Sequence, residues 1–364
     1  MKRSKFILLF YLIFIFWGLH SGFCQEATQP KDNVDTILTK MQNANSSIKY
    51  RGIMTTVVFN NPFSEVCRYK IENYGTILRR EELLTNSIEK EVDYDDGKNL
   101  WRYFPYKNLL IKELTKINNR LNYKPDKILK LAKTNYAIEM LGRYEANKRT
   151  CYKVVFKPKI NDRPQQIYWI DSQTGIPFKI EKYGSNNELV SVSSFSEIDF
   201  PVAFNKESLD LMVPPQTEIA EVKEEYNLSL ATATAEMGKG ITLPAYIPIG
   251  FILNNIIVRS LGSEKTIQFF YSDGLSSLSI FQKPVPEMSN TIKTPHGSVR
   301  VNEKSAFISS SGTMNIICMK SDQMTTTVMG EIFKDAILKV AESLTTTPQE
   351  ILIPLEPIHS VPKK

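Results

Sequence analysis

Between Cys151 and Phe200 the side chains alternate as only an antiparallel meander requires. Tyr152, Val154 and Phe156 fall on one side of the first run. Ile167 and Trp169 then alternate with Tyr168 and Ile170, and Phe178 and Ile180 with Lys179 and Glu181. Successive side chains of a strand point to opposite faces, so this period of two marks strands rather than helix. Polar turns at Ser172-Gln173-Thr174-Gly175 and Ser185-Asn186-Asn187 separate the runs, with Leu189 to Phe200 the last arm. Turn signals every ten or so residues make neighbouring strands pair antiparallel.

Helical periodicity precedes the meander. Val34, Ile37, Leu38 and Met41 share one face of a helix expected over Asp32–Ala44, which Asp32 or Asn33 can cap. Strands are expected at Tyr50–Phe59 and Val66–Tyr74, and a hairpin arm at Asn99–Phe104 after the turn Asp95-Asp96-Gly97. Ile128, Leu129 and Ala132 mark a second short helix. From 203 to 242 the alternation lapses, through the acidic Glu218–Glu225 and the small, polar Leu228–Ala235, and a linker with one short helix is expected. A second domain, 243–345, offers strands at Thr266–Tyr271, Leu275–Gln282 and Met314–Lys320, then an amphipathic helix carrying Ile332, Phe333, Ile337, Val340 and Leu344. The proline-bearing tail 346–364 is expected to be mobile. The whole is an α+β chain, with the first domain over 25–202.

The N-terminus reads as an export signal. Lys2, Arg3 and Lys5 precede an apolar run from Phe6 to Gly18, and Gly22 and Cys24 suit the −3 and −1 positions of a cleavage site after Cys24. The alternative is a retained anchor, but the run falls short of the roughly 20 residues a spanning helix needs. Lipidation at Cys24 would want a small residue before it, and Phe23 is large. Removing 1–24 takes three of 45 basic residues and none of the 39 acidic ones. The near-neutral remainder carries no nucleic-acid footprint and no charge-driven affinity for membrane surfaces. Cys67, Cys151 and Cys318 remain. A Cys67–Cys151 bridge is allowed in an oxidising compartment, and three apolar thiols are the alternative.

The catalytic inventory is thin. His296 and His359 are the histidines beyond the signal. No HExxH, CxxC, G-x-S-x-G or G-x-G-x-x-G occurs, so neither a metal nor a cofactor is expected and the chain reads as a binding protein, not an enzyme. Gly238-Lys239-Gly240 lacks the upstream glycine of a P-loop, and Asp93, Asp95 and Asp96 sit in a charged turn. Apolar strand surface is what the chain has in quantity, with 16 Tyr, 19 Phe and 3 Trp. Most of it is core. A curved sheet only partly covered by a helix would also leave an apolar concavity for acyl chains or peptide. Trp101, Phe104, Tyr152, Phe156, Trp169, Phe178 and Ile180 are the candidates to line it.

Several segments carry a family resemblance. They are Lys40-Met41-Gln42-Asn43-Ala44 with Tyr50-Arg51-Gly52, Asn135-Tyr136, and Gly142 to Arg149. Ile167 to Asp171, Thr174 to Lys179 and Ser194 to Ile198 follow, then Ile249-Gly250-Phe251 and Tyr271 to Phe281. In this order they resemble the MucB/RseB family of periplasmic sigma-factor regulators across nearly the whole chain after the signal. Residues 104–125 and 283–313 depart from the pattern. The resemblance implies an unclosed antiparallel β half-barrel with helices in its mouth, similar to the lipoprotein carriers LolA and LolB, followed by a smaller sheet-and-helix domain. It implies a periplasmic protein that binds and protects a membrane-spanning anti-sigma factor in an envelope-stress response, with lipid or lipopolysaccharide as the releasing ligand. A homo-oligomer stays open. A lipid or lipoprotein carrier is the competing reading, and it leaves 243–345 without a task.

Overall fold

The computed structural model describes residues 33–345 apart from 61, 76, 85–90, 115–124, 201–210, 238–240, 286–297, 303 and 322. The export signal, Cys24, the tail 346–364, His296 and His359 lie outside the described residues.

Helix α1 spans Val34–Ser47 and starts where Asn33 accepts a hydrogen bond from the Asp35 N–H at 3.0 Å. Its apolar stripe turns Ile37, Leu38 and Ala44 inward. Burying Leu38, with none of its surface exposed, contributes about 2–3 kcal/mol. The chain then forms β1 (Lys49–Phe59), β2 (Ser64–Tyr74), β3 (Leu78–Leu84), β4 (Val92–Asp95), β5 (Asn99–Phe104) and β6 (Leu109–Leu114). Helix α2 (Pro125–Asn135) leads into β7 (Tyr136–Ala146), β8 (Arg149–Pro158), β9 (Gln165–Asp171), β10 (Pro177–Tyr183) and β11 (Leu189–Asp199). The meander read from the sequence is thus β8 to β11.

β11 returns to pair with β1, so the first sheet runs β7-β8-β9-β10-β11-β1-β2-β3-β4-β5-β6. Every pairing in that run is antiparallel. Among the described residues β7 is paired on one side only, so the sheet does not close. The cluster around α1 includes Tyr136 of β7, and α1 also packs on β2, six strands away. Strands lie about 4.8 Å apart, so the sheet must curl around the helix to reach it from both sides. The α1 side is therefore the concave one. This is the unclosed half-barrel the resemblance implied.

The segment read as a linker contains a strand, β12 (Glu218–Glu225). Glu218–Glu221 pair in parallel with β6, and Val222–Glu225 pair antiparallel with β14 (Ile252–Leu261), so β12 passes from one sheet to the other. Its backbone bonds hold it there. Ile219 is largely exposed, so no apolar alternation announced the strand. Helix α3 (Leu230–Met237) follows and buries Ala233 and Met237 in the second domain's core.

The second domain comprises β13 (Leu243–Pro244), β14 (Ile252–Leu261), β15 (Glu264–Ser272), β16 (Ser277–Pro284), β17 (Ser298–Val301), β18 (Lys304–Ser311), β19 (Met314–Lys320) and β20 (Met324–Gly330). Helix α4 (Lys334–Glu342) and β21 (Leu344–Thr345) complete it. Its sheet runs β14-β15-β16-β20-β19-β18-β17, all antiparallel. Ile337, Val340 and Ala341 of α4 pack on the sheet with Leu278, Ile280, Ile317 and Val328. The short β13 and β21 pair with each other and tie the two ends of the domain together.

The Cys67–Cys151 bridge is not formed. None of the three described cysteines is in a disulfide. Four strands separate β2 from β8 in the sheet, whereas a disulfide needs Cα atoms within about 7 Å.

Candidate functional site

The seven aromatic and apolar candidates do not meet. Register places directly opposed residues on one face, so Tyr152, Phe156, Phe178 and Ile180 lie on the concave side. Tyr152 and Phe156 are fully packed beneath Ile37 and Leu38, and Phe178 is buried beside Ala44 and Phe195. Ile180 is half-buried opposite Tyr168 and Ser193. Trp169 is on the other face, between Lys153 and Lys179, whose ammonium groups lie 4.9 and 5.0 Å from its ring centre. Trp101 and Phe104 belong to β5, remote from α1, and their odd spacing puts them on opposite faces of that strand. The Trp101 indole donates to Asp96 at 3.1 Å, and Phe104 stacks edge-on against Tyr106.

What the concave side does bring together is a seam with the second domain. Arg163, just before β9, is 2 % exposed and Asp273, in the β15–β16 turn, is 0 % exposed. Arg163 Nη1 donates to Asp273 Oδ2 at 2.6 Å, Nη2 to the Ile249 carbonyl at 2.6 Å, and Nε to Asp162 Oδ1 at 2.6 Å. Tyr136 donates its hydroxyl to Asp273 Oδ2 at 2.7 Å. Asp273 Oδ1 accepts the N–H groups of Leu275 and Ser276, which shape its own turn. The Asn135 amide bridges the carbonyls of Gly250 and Asp273 at 3.0 and 2.9 Å. A buried ion pair is tolerable only when its remaining hydrogen-bonding capacity is met, and here it is. Two glycines let the backbones approach. Gly274 has φ +103°, and a Cβ there would strike the α2 backbone at Ala132; at Gly250, φ +92°, it would strike the Asn135 side chain.

Burial sets the acid–base character. It pushes the Cys151 thiol up to about 12, so this thiol is no nucleophile at neutral pH. Burial works to raise Asp171, but the Arg149 guanidinium at 2.6 Å and the Thr174 hydroxyl and N–H outweigh it and hold the carboxyl low. Tyr136, Tyr168 and Tyr271 are all raised, first by burial, with the charge of Asp273 adding at Tyr136 and that of Glu331 at Tyr168. Their folded values stand above the unfolded value of about 10. The stability they contribute is therefore fully present below pH 10 and lost as pH climbs through the raised values. Urea midpoints should hold between neutrality and about pH 10 and fall beyond it, together with tyrosinate absorbance. Tyrosinate forming near pH 10 without loss of structure would contradict the burial. Among the described residues, no group of three or more His, Cys, Asp or Glu is placed to hold a metal, and no helix is long and apolar enough to cross a membrane.

The geometry has known counterparts. Residues 33–213 match the MucB/RseB N-terminal domain. Through this domain the chain belongs to the MucB/RseB family. The crystal structure of MucB in complex with MucA(peri) shares the fold, with a TM-score of 0.55 at 15 % identity over 86 % of this chain and 99 % of that one. The Pseudomonas aeruginosa MucA/MucB complex gives 0.56 at 14 % identity, over 85 % of this chain and 98 % of that one. No curated protein sequence matches. The likeness in fold to MucB therefore spans both domains.

The seam was half-visible in the sequence of this MucB/RseB-family chain. Asn135-Tyr136, Ile249-Gly250-Phe251 and Tyr271 to Phe281 were the segments that carried the resemblance, and all three converge here. Arg163 carried no signal, because a lone arginine in a charged turn is usually solvated. The Phe251 ring, 4.6 Å from its guanidinium, was the apolar partner to seek.

Proposed function

We propose that this chain is an exported regulator that binds the periplasmic part of a membrane-spanning anti-sigma factor and shields it from proteolysis. The observation that carries the reading is the two-domain likeness to MucB, a protein whose crystal structure holds MucA(peri), over 99 % of that chain. A carrier would need the first domain alone. Here the second domain is joined to the first through a buried charge pair and a shared strand. A partner can thus read one surface composed of both domains. Periplasmic residence follows from the family and from the N-terminal order of basic, apolar and small residues. Lipid or lipopolysaccharide acts as releasing ligand, shifting the balance only by its differential affinity for the partner-free state.

The test is co-purification of the tagged full-length chain from detergent-solubilised envelopes, with bound lipid extracted from the same sample. Recovery of a single-span protein with a cytoplasmic sigma-binding domain, protected from periplasmic protease by the purified chain, is the expected result. Recovery of acyl lipid or lipoproteins alone would replace the regulator with a carrier.

A further inference from the structure

Away from the seam, the second domain touches the concave face along one row of residues. At the β18–β19 turn, the Gly312 N–H donates to Asn60 Oδ1 at 3.0 Å and Gly312 sits beside Val58 and Ser191. The Ser311 hydroxyl donates to Glu65 at 3.3 Å, and Glu331, directly after β20, pairs with Lys182. Glu65, Val58, Ser191 and Lys182 lie directly opposite one another on β2, β1, β11 and β10. The next row inward is Cys67, Thr56, Ser193, Ile180 and Tyr168, all half-buried, with Tyr168 leaning on Phe156 of the core under α1.

We propose that the second domain is a latched lid over this inner row, anchored at Arg163–Asp273 and by the Phe333 N–H on the Asp162 carbonyl at 2.8 Å, and released from its far end, Asn60–Gly312, inward to the Lys182–Glu331 side-chain pair. The two ends of the contact differ in kind. At the anchor both charges are buried, and separating them strands the Asp273 carboxylate without water and leaves Arg163 only Asp162. At the latch the Lys182 and Glu331 side chains keep 22 % and 18 % of their exposure, and the Ser311–Glu65 contact is exposed. Water replaces such partners readily. The surface beneath gives the lid little adhesion. Thr56 and Ser193 hydroxyls bond each other at 2.9 Å, so lifting the lid orphans neither. Opening exposes the inner row while the anchor and β12 keep the domains joined. Occupancy of the concave face is thereby coupled to how the two domains sit, and so to any partner that reads both. The purpose of the lid rests on the regulator reading, but its test requires neither partner nor ligand.

The native Cys67 thiol reports opening. In a Cys318→Ser background of the full chain, modification of Cys67 by a thiol reagent is followed by peptide mass spectrometry, with the fully buried Cys151 as monitor of global unfolding. Glu331→Gln and Lys182→Gln should each raise the Cys67 rate by up to about fivefold while Cys151 stays unmodified. The charge-swapped pair Lys182→Glu with Glu331→Lys should return it toward the parent rate. Unchanged rates in both single variants, or acceleration of Cys67 only in step with Cys151, would overturn the lid.

Discussion

Asp273→Ala should destabilise the protein by about 3–5 kcal/mol, because it takes from the buried Arg163 guanidinium its fully buried counter-charge, leaving it Asp162 alone, and unmakes several buried hydrogen bonds at once. The Tyr136 hydroxyl loses its acceptor in the same step, and the β15–β16 turn loses the oxygen that holds the Leu275 and Ser276 N–H groups. For a chain of this size the apparent thermal midpoint should fall by roughly 10 °C, read by circular dichroism. A companion variant separates charge from shape. Arg163→Met combined with Asp273→Leu removes both charges, and it should recover the share of the loss that belongs to the ion pair, while the Tyr136 and turn hydrogen bonds stay lost. With Arg163→Met and Asp273→Leu as its single variants, the double-mutant cycle isolates the pair from the rest of the seam. A single-variant loss below about 1 kcal/mol would mean that water reaches the pair, since solvated ion pairs are worth no more than that. It would also remove the anchor on which a one-ended opening depends.

How far the sequence reached follows from which interactions carry each element. The β8–β11 meander and α1 were legible because apolar burial on one face imposes a period that composition alone displays. β12 was not, since it is held by backbone bonds to β6 and β14 while Ile219 faces solvent and Glu224 is buried against Arg259. β18 and β20 are rich in Ser and Thr, so their alternation is weak in the sequence although Ala306 and Val328 are fully buried. The half-barrel came from family resemblance, because curl depends on which strands α1 reaches rather than on any one strand. The candidate cavity residues were chosen by chemistry, without register. Register then sent Trp169 to the outer face and split Trp101 from Phe104, as a period of two demands. Of the two readings left open for Cys67 and Cys151, the thiols hold, since strand order, which the sequence does not display, sets four strands between β2 and β8.

Phe156→Ala should cost about 3–5 kcal/mol, and this separates core from cavity at a residue that chemistry alone nominated for ligand binding. Phe156 is 1 % exposed, packs with Leu38, Val154 and Ile170, and meets the Tyr168 ring edge-on at 5.1 Å between centres. Truncation removes a whole ring from beneath α1. The helix cannot follow it inward, because Ala44, packed with Phe178 and Phe195, and the Lys40 hydrogen bond to the Ser172 carbonyl in the β9–β10 turn hold its second half in place. The void is therefore expected to persist, which places the cost at the upper end for such changes. A side chain lining an open, solvated concavity would behave otherwise, since its loss would leave no dry void and would cost about 1 kcal/mol or less. Ile180→Ala is the contrast, for Ile180 lies half-buried in the inner row, outside the core under α1. Its truncation should cost distinctly less stability. Equal losses at the two positions, measured by urea unfolding, would mean that the inner row is core as well, and that the concave face has no surface to open.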